Sequence, residues 1–188
     1  LDAFPIDVEV DSTPGLHSLN IVGLPDKSVQ ESKDRIESAI KNSGFIAPKK
    51  KNNRVIVNLA PADIKKEGPA YDLPIALGYL LATKQMKPAE PKRLFLGELS
   101  LDGSLRRVSG VLPIALMAKE NGFDELILPA DNTTEASVVK DLRVIGINNL
   151  AQLVKYLGGK IIIEPTQNLD YGYYALNATG SDDLDDFD

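Results

Sequence analysis

A mixed domain of strands and helices, of the α/β or α+β class, is what the sequence predicts, and three observations carry that expectation. Short β-branched runs alternate with longer segments of helical period along most of the chain. Its 188 residues suffice for one domain, which at that length buries roughly 70% of the surface of its unfolded chain. Hydrophobic residues make up 43% and charged residues 26%, the balance of a soluble globular protein. No internal repeat interrupts the pattern, and the pattern alone leaves the two classes open.

The chain opens without Met and already in strand-like alternation, with Phe4, Ile6, Val8 and Val10 on one face; flanking sequence is therefore expected to have been left out. Thr13-Pro14-Gly15 reads as a turn and residues 19–22 as a second strand. Asp26 is placed to cap a helix running to Asn42, with Val29, Ile36, Ala39 and Ile40 on its apolar face and Ser43-Gly44 as its stop. A basic loop, Lys49 to Asn53, leads into a strand over 54–59. A helix is expected over 73–83, where Pro74 falls in the tolerant first turn and Asp72 reads as its cap. Short strands follow at 94–96 and 98–101, and Asp102-Gly103 signals a hairpin into 105–108. Then come a helix over 112–121 closed by Gly122, a strand at 126–129, a short helix over 134–140, a strand at 144–147 and a helix over 150–157. Gly68, Gly97, Gly103 and Gly110 read as positions of turn or close backbone approach.

Net charge is −6, but the last eight residues hold five aspartates and no base, so the rest of the chain stands at −1. The overall acidity therefore says little about the body, and the tail reads as solvated linker. Several chemistries fail on residue inventory. With no cysteine and one histidine, disulfides and zinc sites are excluded, and the lack of cysteine fits a reducing cytoplasm. A triad of the Ser-His-Asp kind has only His17 to draw on, which reads as a surface or packing residue. A phosphate-binding loop must end in Gly-Lys-Ser/Thr; the only Gly-Lys pair is Gly159-Lys160, followed by Ile161. No apolar run approaches the ~20 residues that cross a bilayer, so no membrane partner is expected.

Two segments carry a resemblance. The first is Asn58-Leu59-Ala60-Pro61-Ala62-Asp63, continued by Lys66-Glu67-Gly68-Pro69-Ala70-Tyr71-Asp72-Leu73-Pro74-Ile75-Ala76; the second is Leu96-Gly97-Glu98-Leu99-Ser100-Leu101-Asp102-Gly103 with Arg106-Arg107-Val108-Ser109-Gly110-Val111-Leu112-Pro113. With Val22-Gly23-Leu24-Pro25-Asp26 upstream, they resemble the N-terminal domain of the ComM type of magnesium-chelatase-like AAA+ ATPases, relatives of the ChlI subunit. The likeness runs from about residue 5 to residue 157, and the second segment is shared more widely, with Lon protease and the RadA recombination protein. It implies an α+β fold of the Lon C-terminal type, akin to the second domain of small-subunit ribosomal protein five, with a mixed sheet and helices packed on one side. The implied organisation is a Lon-like domain over 1–165 and an acidic linker over 166–188 that leads toward an AAA+ module absent from this chain.

The resemblance also implies what has been lost. Lon uses a serine activated by a lysine amine, which needs no histidine. Aligned on Lys66-Glu67-Gly68-Pro69, the nucleophile position holds Ala70, and counting from Gly97 places Leu112 at the lysine position. A methyl group cannot attack a carbonyl and an isobutyl group cannot take a proton, so no catalytic residue is expected. A displaced Ser100, Ser104 or Ser109 is disfavoured because those serines lie in or beside the hairpin, and magnesium insertion into a porphyrin is disfavoured because no metal or porphyrin motif is present. No cofactor is expected on this chain; ATP and magnesium belong to the implied ATPase module. ComM-type proteins act as hexameric, DNA-dependent ATPases in branch migration, so the implied partners are the module itself, neighbouring subunits of a homo-hexamer, and single-stranded or branched DNA. Candidate phosphate contacts are Lys49, Lys50, Lys51, Arg54, Lys65, Lys66, Arg106 and Arg107. The rival expectation is a module for ring assembly or regulation that touches no DNA.

Overall fold

The strand Asn53–Ala60 (β3) organises the first half of the molecule, because every second side chain along it, Asn53, Val55, Val57 and Leu59, is buried. The computed structural model of the protein describes residues 3–87 and 92–168. Within it β3 pairs antiparallel with β1 (Asp7–Pro14) and parallel with β2 (Ser18–Val22), in the order β1-β3-β2. β1 alternates exposed acids with half-buried Val8 and Val10, and it runs through Pro14, beyond the turn expected at Thr13. Pro14 is tolerated there because β1 is an edge strand.

The helices α1 (Lys27–Asn42) and α3 (Asp72–Ala82) pack together on one face of this sheet. α1 is amphipathic as expected and buries Val29, Ile36, Ala39 and Ile40. α3 is buried on nearly every side, as a helix apolar all round must be. The basic loop is in fact a single helical turn, α2 (Pro48–Lys51): Pro48 supplies a helical φ at its start, and Asn52 in the left-handed region ends it.

A second sheet is wholly parallel, in the order β4-β7-β8, from β4 (Arg93–Phe95), β7 (Glu125–Pro129) and β8 (Arg143–Ile147). β7 is buried at every residue, as a central parallel strand should be. Its side chains divide by parity. Leu126, Leu128 and Val144 enter one core with α4 (Val111–Glu120), and Ile127, Ile145 and Ile147 enter the other with α6 (Leu150–Leu157). The short helix expected over 134–140 is α5 (Thr133–Ala136), preceded by a 3-10 turn at Ala130–Asn132; β-branched Val138 and Val139 follow its end. The Asp102-Gly103 hairpin joins β5 (Glu98–Leu99) to β6 (Leu105–Arg106) as expected, and Gly103 has φ +88°, a left-handed value that glycine takes without strain.

The architecture is mixed and of the α+β kind. Where the resemblance implies one mixed sheet with helices on one side, the described strands pair as a mixed three-stranded sheet, a parallel three-stranded sheet and a hairpin. Only the first sheet is covered by helices on one face alone; β7 and β8 send alternate side chains into two cores, so the second is covered on both. Thr166 N–H donates to the Val144 carbonyl at 2.8 Å, which ties the chain to β8 as far as the expected start of the linker. The acidic residues 182–188 lie outside the described residues.

Candidate functional site: the Gly-Pro-Ala-Tyr loop and the cationic sheet end

The three sequence segments that carry the resemblance meet in space. The Asp26 carboxylate accepts from Val29 N–H at 2.8 Å, as the expected helix cap, and its other oxygen accepts from Gly68 N–H at 3.1 Å. Lys66 N–H donates to Leu24 O at 3.1 Å and Asp26 N–H to Lys66 O at 2.9 Å, so residues 22–26 and 66–68 are laced together. Gly23 allows this approach: a Cβ there would stand 2.1 Å from the Leu59 carbonyl oxygen. On the far side of the 3-10 turn Pro69–Tyr71, Gly97 N–H donates to Ala70 O at 2.9 Å and Leu73 N–H to Gly97 O at 3.1 Å.

Asp72 locks this assembly, and not as the helix cap expected of it. It is the first residue of α3, fully buried, and its carboxylate takes Arg35 of α1 in a two-point pair (Nε at 2.9 Å, Nη2 at 3.2 Å) together with Leu99 N–H at 3.1 Å. The carboxyl turns away from the amides of its own helix because a buried carboxylate needs a cation more than a cap. Burial pushes the Asp72 carboxyl above its ordinary range, with Arg35 and the Leu99 amide holding part of the rise back. Sequence alone gave no sign of this pair, since Arg35 and Asp72 lie 37 positions apart.

Ala70 sits half-buried in the 3-10 turn, and Leu112 half-buried in the first turn of α4; both pack on the same core. Ala70 borders a cavity of about 510 Å³, shared with Ser109 and Ile114, that runs along α3 between β1 and β4. Both strands are the outer strands of their sheets. The α4 amides of Val111 and Leu112 are taken by the Glu135 carboxylate at 3.2 Å each. Ser104 donates to Asp102 at 2.7 Å and Ser100 accepts from Arg106 at 2.6 Å, while among the described residues no lysine amine bonds a serine hydroxyl.

The eight candidate cations divide sharply. Lys66 is a correction: it is 0% exposed, with its ammonium on the Pro61 carbonyl, and no phosphate can reach it. Lys65 pairs with Glu67 at 2.6 Å, Arg107 lies 3.7 Å from Glu135, and exposed Arg106 donates to the neutral Ser100 hydroxyl with no salt bridge among the described residues. Lys49, Lys50, Lys51 and Arg54 are exposed and have no salt bridge among the described residues. They lie on α2 and at the start of β3, one end of the first sheet. His17, beside that end, contacts Glu37 at 3.0 Å in the packing role expected of it.

A second ionic cluster was also missed. Glu125, nearly buried, is held by Arg93 at 2.6 Å, Arg143 at 3.2 Å and Tyr156 Oη at 3.1 Å. A signal for it exists, because the three parallel strands open on charged residues of alternating sign that stand in register. Among the described residues no three His, Cys, Asp or Glu side chains gather as a metal site, and no helix is long and apolar enough to cross a membrane. The nucleotide implied by the family does not fit these residues either. Gly159-Lys160 closes α6, with Lys160 N–H on the Lys155 carbonyl, whereas a phosphate loop must open a helix.

A mixed domain whose central loop is built from backbone lacing and one buried ion pair is thus the class defined by fold and site. The chain belongs to the family described as subunit ChlI of Mg-chelatase, whose model matches residues 8–132. It is 43% identical over 161 residues to an uncharacterized protein of Mycobacterium tuberculosis, covering 85% of this chain and 31% of that one. It is 39% identical over 181 residues to the competence protein ComM of Haemophilus influenzae, covering 96% of this chain and 35% of the relative. A shorter match, 32% over 92 residues, is to the DNA repair protein RadA of Streptococcus pneumoniae, covering 49% of this chain and 22% of the relative. The chain therefore spans about a third of the length of the first two of these relatives.

Proposed function

We propose that this chain is a Lon-type accessory domain (residues 1–165, with an acidic linker over 166–188) of a ComM-type AAA+ ATPase, and that it performs no peptidase chemistry. Its service is to DNA handling in recombination by a homo-hexameric parent, whose separate module binds ATP and magnesium. The observation that carries this reading is the sorting of the cations. Around the Gly-Pro-Ala-Tyr loop Lys65 and Lys66 are engaged and Arg107 lies near Glu135, while Lys49, Lys50, Lys51 and Arg54 gather at one exposed sheet end with no salt bridge among the described residues. Ala70 and Leu112 supply neither a nucleophile nor a base. Fluorescence anisotropy with single-stranded and forked DNA over a salt series tests the DNA role. Binding that weakens steeply with salt is expected, and absence of binding at low salt for this chain and for the full-length parent ends the reading.

A second reading, a module for ring assembly or regulation, is favoured by the cavity along α3. Two outer strands and an apolar helix face suit a protein partner better than a phosphate backbone. Deleting residues 1–180 from the parent should then change hexamer formation or ATP turnover; identical behaviour eliminates it.

A further inference from the structure

We propose that the link between β1 and β2 is a wedge for DNA junctions, with Leu16 entering at the point where a duplex opens and Lys49, Lys50, Lys51 and Arg54 holding phosphates beside it. The inference rests on the DNA reading above and adds the residue that senses where the strands part.

The register fixes the geometry. Pro14 stands opposite Asn53 on β3, and Ser18 stands beside Arg54, so residues 15–17 cross the open end of β3 between the two flanking strands. Gly15 N–H is anchored on the Asn52 carbonyl at 2.9 Å, and His17 on Glu37 at 3.0 Å. Leu16, between these two tethers, is 93% exposed, more than Phe4 at 59% or Ile162 at 87%. One exposed leucine is ordinary on a protein surface. This one is held from both sides, and around it lie Lys49, Lys50 and Lys51, which directly precede Asn52, and Arg54, paired in register with Thr13 and Ser18. The nearby acids are Glu37, which contacts His17 and acts on Lys49, and Asp11, two residues from Thr13 on the face of β1 that Arg54 shares.

Charge complementarity points to an anionic partner, and the size of the apolar tip decides which kind. A single leucine adds on the order of ten- to a hundredfold in partitioning, too little to seat a domain in a bilayer. It matches what one apolar side chain does between base steps, where unstacking costs least at an end or fork. The cations contribute affinity without sequence preference, and the leucine contributes the choice of structure.

The test uses the full chain with a fluorescein-labelled fork, and with a duplex and a single strand of the same length; 2-aminopurine at the fork reports unstacking. Unaltered protein should prefer the fork to the duplex and raise the 2-aminopurine signal. Leu16→Ala should abolish that signal and cut fork preference about tenfold while leaving duplex affinity and the circular dichroism spectrum unchanged, and Leu16→Phe should restore both. Changing Lys49, Lys50, Lys51 and Arg54 together to Gln should weaken all three DNAs and flatten the salt dependence. Fork preference that survives in Leu16→Ala overturns the wedge but leaves the DNA reading standing. No binding of this chain to any DNA overturns the wedge, the same result for the full-length parent overturns the DNA reading as well, and binding to phosphatidylserine vesicles in place of DNA assigns the surface to a membrane and overturns the wedge.

Discussion

The Gly-Pro-Ala-Tyr loop and the open end of the first sheet are both turns rich in charge, yet they treat charge in opposite ways. In and around the loop, Asp72 answers Arg35, Lys66 answers a carbonyl, Lys65 answers Glu67, and Glu135 answers two helix amides. At the sheet end four exposed cations form no salt bridge among the described residues. Charge buried without partners costs several kcal/mol, so the partners of Asp72 and Lys66 are what their burial demands. The exposed end is under no such demand, and charge retained there is free for an external partner. The first region is therefore expected to report on stability and, under the proposed reading, the second on binding, and substitutions of the same chemical kind should separate them.

The largest effect is expected at Arg35. Arg35→Ala leaves the Asp72 carboxylate fully buried with only the Leu99 amide, and should destabilise the fold by about 3 kcal/mol in a urea titration. The pH dependence fixes the cause. Burial already places the Asp72 carboxyl above its usual range, and loss of the guanidinium raises it further. A carboxyl whose pKa is higher folded than unfolded binds more protons in the native state, so stability rises as pH falls through the window between the two values. The deficit of Arg35→Ala should therefore shrink from neutral pH toward pH 4. A deficit that is flat with pH would mean lost packing and not a stranded charge.

A smaller effect sets the two regions side by side with one substitution. Lys66→Met removes the donor to the Pro61 carbonyl and should cost about 1–3 kcal/mol. Lys50→Met, on the exposed turn of α2, should fall within about 0.5 kcal/mol. Equal costs at the two sites would erase the distinction between engaged and free lysines.

Much of this was legible in the sequence where the signal is local. The Asp26 cap, the Asp102-Gly103 hairpin and helices α1 and α6 stand where periodicity and turn chemistry put them. Elements whose form depends on distant partners were read less well. Residues 49–51 read as loop because lysine runs suggest solvent, whereas Pro48 and Asn52 bracket a helical turn. Asp72 read as a cap because nothing nearby announces Arg35, and Lys66 read as a surface cation because its burial depends on β3 and the 22–26 loop. The split into two sheets depends on which strand edges meet, and no residue pattern encodes that directly. The Glu125 cluster was within reach, since strand openings of alternating sign suggest parallel neighbours in register.

The smallest predicted difference is between Lys50→Gln and Arg107→Gln, and it bears most directly on the comparison. Each removes one positive charge, so a mere reduction in net charge would act alike on DNA binding. Arg107 lies 3.7 Å from Glu135 and is largely exposed, so its loss should change stability by less than about 1 kcal/mol. Glu135 would still hold the Val111 and Leu112 amides. Because that arginine already shares its charge with a carboxylate, it has little counterion atmosphere of its own to exchange. Lys50 has no such partner among the described residues, and each phosphate it neutralises releases a condensed cation. Lys50→Gln should therefore lower the slope of log affinity against log salt by about 0.7 on single strands, while Arg107→Gln leaves the slope unchanged. Equal slope changes in a salt series would show that the domain is attracted as a whole and that the sheet end holds no special place in binding.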